Sequence, residues 1–303
     1  MSAKRYRTLH ADFFTVETER CDFASILGTV NGMSGKARNF VTNGGDPIRL
    51  KKMSIRSEGR RRFFAGDMVK IRMTNLPTRI DQRGSEREID FRDDEGIGEE
   101  TAFFFDEERN VLVLQRNRNG VSFSGFEDYF EHFAGKSGRF QLLPMISNTA
   151  LEQLRRSSRI GKFELEVTPT VSRMDVQASR SLSEAISLLE QVAGEKVSLT
   201  IGVAPHSRRG LSLSSVVKKA QELLRIRERY PNDVRKLRAY AEDEDHKMAM
   251  LDLLVDRIRA DDQVPYDESR RISFDARIEF LKKQWQSQDS KMPSRKPTDG
   301  VRS

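Results

Sequence analysis

The spacing of apolar residues in the first half of the chain predicts strands more often than helices. Apolar runs bounded by turn residues predict strands over 5–16, 47–57, 62–74, 101–105, 111–115 and 139–145. The runs on either side of Asp106–Asn110 predict a β-hairpin with its turn at these residues. Two segments have helical spacing instead. They are 22–31, which Asp22 would cap, and 123–135, where phenylalanines recur every three or four residues until Gly135.

The second half alternates the two kinds of pattern. Amphipathic helices are predicted over 149–158, 180–193, 214–229 and 273–286, and strands over 162–168 and 197–203. Ser214 or Ser215 would cap the third of these helices. Residues 234–266 are expected to form one long two-stranded ribbon that turns at Asp243–His246. The chain has no periodicity after about residue 287, so the tail is predicted to be disordered.

These elements predict an α+β protein with mixed, mostly antiparallel sheets, covering helices and two lobes. The first 148 residues are expected to form an N-terminal α+β lobe, and 149–230 a second α/β lobe. Residues 231–286 would add the ribbon and a C-terminal helix that packs back, followed by the tail at 287–303. A chain of 303 residues is long enough for this organisation.

Composition excludes several classes of protein. Cys21 is the only cysteine, so no disulfide can form within the chain and a reducing, cytoplasmic location is expected. One cysteine and 4 scattered histidines do not make a structural zinc site, and no phosphate-binding glycine loop is present. We therefore predict no metal and no cofactor. The N-terminus lacks the apolar core of a signal peptide, and no apolar run approaches the ~18–20 residues that span a membrane.

Positive charge is concentrated in one segment. Residues 49–62 carry a net charge of +6, whereas the whole chain carries +7. A basic segment of this density is typical of a surface that binds polyanions, most often phosphate backbones. The candidate contacts in this segment are Arg49, Lys51, Lys52, Arg56, Arg60, Arg61 and Arg62.

The predicted helix 214–229 offers a second basic row. Lys218, Arg225 and Arg229 fall near the side of the helical wheel opposite its apolar arc, and Arg208 and Arg209 precede the helix. A third run contains Arg155, Arg156, Arg159 and Lys162. A solvated helix face is the alternative interpretation of this row. Because the basic residues lie on strands and loops as well, they suit backbone contact better than reading of base edges.

Two other functions stay open. Glu164 and Glu166 share one face of a predicted strand, and paired carboxylates of this kind occur in metal-dependent nucleases, although an exposed strand face explains them as well. Residues 86–108 carry a net charge of −9, which indicates a segment that shields the basic surface or mimics the charge of DNA within the protein, or else a solvated loop. The acidic and basic blocks would also suit a protein-interaction module.

Several segments of the last two-thirds of the chain resemble RexA-like phage-exclusion proteins. The resemblance runs through TAFFFDEERNVLVLQRN, GFEDYFEHF, RFQLLPMI, KFELEVT, SVVKKAQELL, LRAYAEDED and IEFLKKQW. It implies a homodimer that binds double-stranded DNA without sequence preference, a fold related to the recombination-associated protein RdgC, and a membrane-protein partner in phage exclusion. It adds Lys218 and Lys219 of SVVKKAQELL as candidate basic contacts and implies no catalytic residue.

Charge and resemblance together predict a non-enzymatic, sequence-tolerant DNA-binding protein that acts as a dimer in defence against phage. Six to ten phosphate contacts would make binding steeply salt-dependent, with a loss of ~10³–10⁵ in affinity between 50 and 200 mM salt. This prediction requires the separate basic segments to meet on the folded surface.

Overall fold

The computed structural model describes residues 5–41, 45–59, 61–135, 138–157, 159–168, 196–204, 209–229, 233–242 and 248–288. The chain separates into two compact units. Unit 1 comprises residues 1–142 and 259–287, and unit 2 comprises 143–258 and 288–303. The predicted helix 180–193, the predicted turn Asp243–His246 and the tail from residue 289 lie outside the described residues.

The elements follow the predicted order closely. The strands are β1 (Arg5–Glu19), β2 (Phe40–Val41), β3 (Pro47–Glu58), β4 (Arg61–Arg72), β5 (Arg79–Ile80), β6 (Glu86–Arg87), β7 (Ile97–Asp106), β8 (Val111–Arg116), β9 (Arg139–Pro144), β10 (Arg159–Val167), β11 (Val197–Gly202), β12 (Val234–Glu242), β13 (Met248–Asp252) and β14 (Arg259–Tyr266). The helices are α1 (Phe23–Gly32), α2 (Phe123–Ala134), α3 (Asn148–Arg156), α4 (Leu213–Arg229) and α5 (Phe274–Gln288). The α+β class is confirmed.

Unit 1 is built on an eight-stranded sheet. Its order is β14-β1-β8-β7-β4-β3-β2, and β9 also pairs with β1. The pairings of known register are antiparallel, and the predicted hairpin forms with Phe103 opposite Leu114. Strand order is therefore not chain order. The chain returns after unit 2 to add β14 to the edge beside β1.

Both faces of this sheet are covered by helices. Helices α1 and α2 pack on one face, where aromatic side chains such as Phe23, Phe105, Phe126 and Phe130 form the core. The rings of Phe23 and Phe130 meet edge to face at 4.9 Å. Helix α5 covers the other face, where the Trp285 ring lies 5.4 Å from Phe63. Neighbouring residues along β4 thus supply two separate cores, because successive side chains point to opposite faces.

The N-terminus of α1 is fixed by Asp22, as predicted. The Asp22 carboxylate accepts a hydrogen bond of 2.8 Å from the backbone N–H of Ser25 and one of 2.9 Å from its hydroxyl. Replacing Asp22 with alanine is expected to lower the free energy of unfolding by about 1 kcal/mol, because two donors lose their acceptor. Chemical denaturation measures the loss. Asn31→Ala in the same helix is the control, and an equal loss in both variants would contradict a capping role.

Unit 2 contains a four-stranded antiparallel sheet in the order β11-β10-β12-β13. Helices α3 and α4 supply apolar side chains to its core, among them Leu154, Leu223 and Leu224. The apolar arc predicted for α4 is therefore buried. The predicted cap is wrong, because the Ser212 hydroxyl accepts the hydrogen bond from the N–H of Ser215 at 3.4 Å. The helix begins at Leu213, immediately after Ser212.

The predicted ribbon over 234–266 is wrong in its second half. Strand β12 pairs with β13, but the chain then turns after Asp252 and leaves the ribbon. Its last part becomes β14, which pairs with β1 in unit 1. The apolar run MAMLDLLVDRI is thus divided between an edge strand, a turn and a connection. Its apolar residues accordingly differ in burial: Leu253 is buried, whereas Val255 is 75% exposed.

Candidate nucleic-acid interface

The predicted basic segment forms an edge of the sheet in unit 1. Strand β3 pairs with β4 along its length, whereas β2 reaches only Pro47 and Ile48 on its other side. Next to β2, the N–H of Leu50 donates a hydrogen bond of 2.9 Å to the Tyr129 hydroxyl. From Lys51 to Glu58 no described strand pairs with the outer edge of β3. We call residues Lys51–Glu58 the open edge.

Tyr129 closes the beginning of this edge. Its hydroxyl donates to the Arg38 carbonyl at 3.0 Å while it accepts from Leu50. Burial raises the pKa of Tyr129 to about 12, so the hydroxyl keeps the proton that this relay needs. The relay satisfies a backbone group that β2 is too short to reach.

A β-bulge in β3 determines which face of the sheet its cations lie on. The register between β3 and β4 shifts between Leu50 and Lys52, which makes Lys51 the additional residue. Directly opposite residues share a face in an antiparallel pair. Arg49 lies opposite Val69, Lys52 opposite Asp67 and Arg56 opposite Phe63. These three cations therefore share the face that α5 covers.

The protein's own carboxylates neutralise the other described cations of the segment. Lys51 pairs with Glu100. Arg61 pairs with Asp106 at 3.0 Å and with Glu108 at 2.7 Å. The Arg62 guanidinium pairs with Glu107, and Arg62 lies opposite Ser57 on the face of α1 and α2. Part of the predicted acidic block thus shields part of the basic segment, because β4 brings β3 and β7 together.

Three cations remain along β3 without an ion pair among the described residues: Arg49, Lys52 and Arg56. Lys52 and Arg56 are exposed, and the Lys52 ammonium lies 4.4 Å from the Phe274 ring centroid. At the rise of a β-strand, the row extends over roughly 20 Å. We call Arg49, Lys52 and Arg56 the edge strip.

The structure describes only part of the second basic row. Lys218 is exposed on α4, but Lys219 pairs with Glu222. Arg209 and Arg225 also interact with other groups of the chain. Arg60, Arg208 and the side chain of Arg229 lie outside the described residues. The third run is paired in large part, with Arg159 on Glu242 and Lys162 on Glu164. These residues belong to unit 2, whereas the edge strip belongs to unit 1.

A buried charge network lies beneath the edge strip and was missed in the sequence. The Arg277 guanidinium on α5 lies 2.6 Å from Asp67 and 2.7 Å from Glu100, which in turn pairs with Lys51. Burial raises the pKa of Asp67 to about 6, although Arg277 acts in the opposite direction. One sequence signal was available: Asp67 is the only acid in the apolar run RFFAGDMVKI.

The residues proposed for a nuclease are engaged elsewhere. Glu164 accepts a hydrogen bond of 3.0 Å from the Tyr240 hydroxyl and pairs with Lys162 at 2.9 Å. Glu166 accepts from the Ser198 hydroxyl at 3.1 Å. Within the part of the chain that the structure describes, no cluster of three or more metal-ligating side chains occurs. The nuclease hypothesis therefore gains no support from these residues.

The beginning of the acidic block is exposed. Residues 81–90 are all exposed, and β5 and β6 form a two-stranded hairpin of their own in this connection. Arg92 pairs within the block with Glu95 at 2.5 Å. The block therefore divides into a shielding part on β7 and the following turn, and a solvated loop before it.

None of the described helices is both long and apolar enough to cross a membrane.

Comparison with known proteins places this chain in one family. No curated protein matches the chain, so the resemblance to RexA-like proteins stays a prediction. Residues 8–295 match the model of a family described as a family of unknown function, DUF6731. The match covers nearly the whole chain, and the protein belongs to the DUF6731 family.

Proposed function

We propose that this protein binds DNA without sequence preference through the edge strip. One observation carries the proposal. Arg49, Lys52 and Arg56 share a face of an edge strand, while their basic neighbours Lys51, Arg61 and Arg62 are neutralised by carboxylates. Cations without a carboxylate partner are the ones that can take phosphates as their counterions.

The strip suits phosphate contact and not base readout. A strand fixes its side chains in a row, and a row of guanidinium and ammonium groups matches the repeating charge of a nucleic-acid backbone. Phe63 and Phe64, the aromatic residues of β4 next to Arg61 and Arg62, are both buried and do not offer a face on which bases could stack. Binding through the strip would therefore tolerate any sequence.

The edge strip has three cations, so the affinity for DNA is expected to depend less steeply on salt than it would if the whole basic segment made contact. Three phosphate contacts give a slope of about −2.7 in a plot of log affinity against log salt. Affinity is then expected to fall about 40-fold between 50 and 200 mM salt. Fluorescence anisotropy with a labelled duplex of random sequence measures this slope.

Substitution separates the strip from general charge. The variant with Arg49, Lys52 and Arg56 all changed to glutamine is expected to lose most of its affinity and to have a nearly flat salt response. Arg56→Gln and Arg62→Gln form a matched pair of single variants, because both residues belong to the same basic segment but Arg62 pairs with Glu107 on the other face. Equal losses in the two single variants, or a wild-type slope near zero, would contradict the proposal.

The same proposal includes the location and biological role predicted from the sequence. A single cysteine suits a reducing cytoplasm, and the resemblance to RexA-like proteins supports phage exclusion with a membrane-protein partner. The test is the efficiency of plating of phage on cells that produce the wild type or the triple glutamine variant. Equal plating on both would separate DNA binding from defence.

A further inference from the structure

The open edge presents different chemistry on its two faces. Lys52 and Arg56 point to the face covered by α5, whereas Ile55 lies opposite Phe64 and points to the face covered by α1 and α2. Met53 is partly buried against that second face, and Ile55 is 53% exposed. A strand added to this edge would therefore need acidic residues on one face and apolar residues on the other.

An exposed edge of this length is a template for pairing with another chain. Every second N–H and C=O of an antiparallel edge strand points outward, and Lys51–Glu58 provides eight residues. The bulge and the charges of β3 discourage pairing with an arbitrary strand. They favour a strand with opposite charge at matching positions.

One exposed segment of the same sequence has the complementary pattern. In Glu86–Phe91 (EREIDF), Glu86, Glu88 and Asp90 alternate with Arg87, Ile89 and Phe91. The acidic residues of the segment are exposed, and Ile89 is 42% exposed. Glu86 and Arg87 are already extended as β6. Since side chains alternate along a strand, the carboxylates share one face, and Arg87, Ile89 and Phe91 share the other.

We infer that the segment Glu86–Phe91 of one copy of this protein pairs as an antiparallel strand with the open edge of a second copy. The spacing fits, because Lys52 and Arg56 are four residues apart and so are Glu86 and Asp90. One register sets Asp90 opposite Lys52 and Glu86 opposite Arg56. The same register sets Ile89 opposite Met53 and Arg87 opposite Ile55. Two pairs of opposite charge and one apolar pair directly across the ladder stabilise the pairing.

A second copy is the occupant because every chain exposes both halves of the contact. The open edge has no described strand partner, and the acidic residues of the segment are solvated in the same chain. A two-fold exchange, in which each copy lends its segment to the other, covers both edges at once and ends in a closed dimer. Charge complementarity adds specificity, since the edge is cationic and the segment acidic.

The inference does not depend on DNA binding, but it uses two cations of the edge strip. The dimer would thus compete with nucleic acid for Lys52 and Arg56. For this reason the test is made on protein freed of nucleic acid by nuclease treatment and a high-salt wash. A failure of dimerisation there says nothing about phosphate binding, and the anisotropy experiment does not report on dimerisation.

Sedimentation equilibrium at low salt tests the pairing with variants in which the charges of Arg56 and Glu86 are reversed singly and together. The wild type is expected to form dimers, and Arg56→Glu and Glu86→Arg are each expected to weaken dimerisation at least tenfold. The double variant, with both changes, is expected to recover the wild-type dimer because the attraction is restored in reverse. Asp94→Arg is the control, since it makes the same charge change in the same loop outside the segment.

Three outcomes would overturn the inference. They are a wild type that is monomeric at all concentrations, an Asp94→Arg variant that dissociates as readily as Glu86→Arg, and a double variant that remains monomeric. A synthetic peptide of residues 85–92 provides a second measurement. It is expected to dissociate the dimer, and a scrambled peptide of the same composition is expected to leave it intact. Equal effects of the two peptides would also overturn the inference.

Discussion

Replacing Arg277 with methionine is expected to lower the free energy of unfolding by about 3–5 kcal/mol at pH 7.5. Arg277 is 7% exposed and lies between Asp67 and Glu100, and Asp67 is 3% exposed. Methionine fills much of the volume of the arginine but leaves both carboxylates without their common partner. An uncompensated buried charge costs far more than the original pair contributes.

The cost is expected to depend on pH in a defined direction. Burial raises the pKa of Asp67 from 3.8 to about 6, so the folded protein holds this proton more tightly than the unfolded chain does. The stabilisation from that proton is complete below pH 3.8 and is lost as pH rises through about 6. At pH 5 Asp67 is mostly neutral, so the loss caused by Arg277→Met is expected to be smaller there by about 1 kcal/mol or more.

Urea denaturation at pH 5 and at pH 7.5 measures both effects. Arg271→Met is the matched control, since Arg271 is an exposed arginine just before α5 and forms no ion pair among the described residues. It is expected to change the free energy of unfolding by less than about 0.5 kcal/mol. A loss in Arg277→Met that is small, or that is larger at pH 5 than at pH 7.5, would contradict the role given to Asp67.

Replacing Phe126 with alanine is expected to cost about 3–5 kcal/mol. Phe126 is fully buried on α2, and its ring lies 4.7 Å from Phe130 and 5.4 Å from Phe103. Loss of the ring removes a large apolar area and leaves a cavity among aromatic rings that cannot close it without disturbing one another. Thermal and urea denaturation measure the loss.

A matched control for this variant lies one turn earlier on the same helix. Phe123 is only partly buried, and its ring contact is with Phe14 at 5.2 Å. Phe123→Ala makes the same chemical change in the same helix and is expected to cost less than half as much. Equal costs for the two variants would indicate that the aromatic core of unit 1 adapts to the lost volume.

The local elements could be predicted from the sequence because they depend on local patterns. The alternation in β3 and β4 and the phenylalanine spacing in α2 specify the faces that must be buried. The Asp22 cap is equally local, since its acceptor is three residues from its donor. The apolar run at 248–258 failed as a predictor, because its period suits a strand, a turn and a connection equally well.

The distribution of charge depended on contacts that no local pattern contains. Asp67 and Arg277 are 210 residues apart in the chain and meet only because α5 packs on the sheet. The pairs of Lys51, Arg61 and Arg62 with acidic residues depend on the strand order β3-β4-β7. The sequence showed a basic block and an acidic block. The strand order determines which members of the two blocks form ion pairs with each other. It leaves the three cations of the edge strip without such a pair among the described residues.

The discontinuity of unit 1 has a consequence for synthesis of the protein on the ribosome. The 116 residues of 143–258 must be translated before β14 and α5 exist. At ordinary elongation rates this takes roughly 6–20 s, far longer than a small sheet needs to collapse. Throughout that interval the nascent sheet has one face uncovered, with Phe63 and Phe104 in contact with water. Chaperones that hold such a chain would have to release it only when the codons for residues 259–288 have been read.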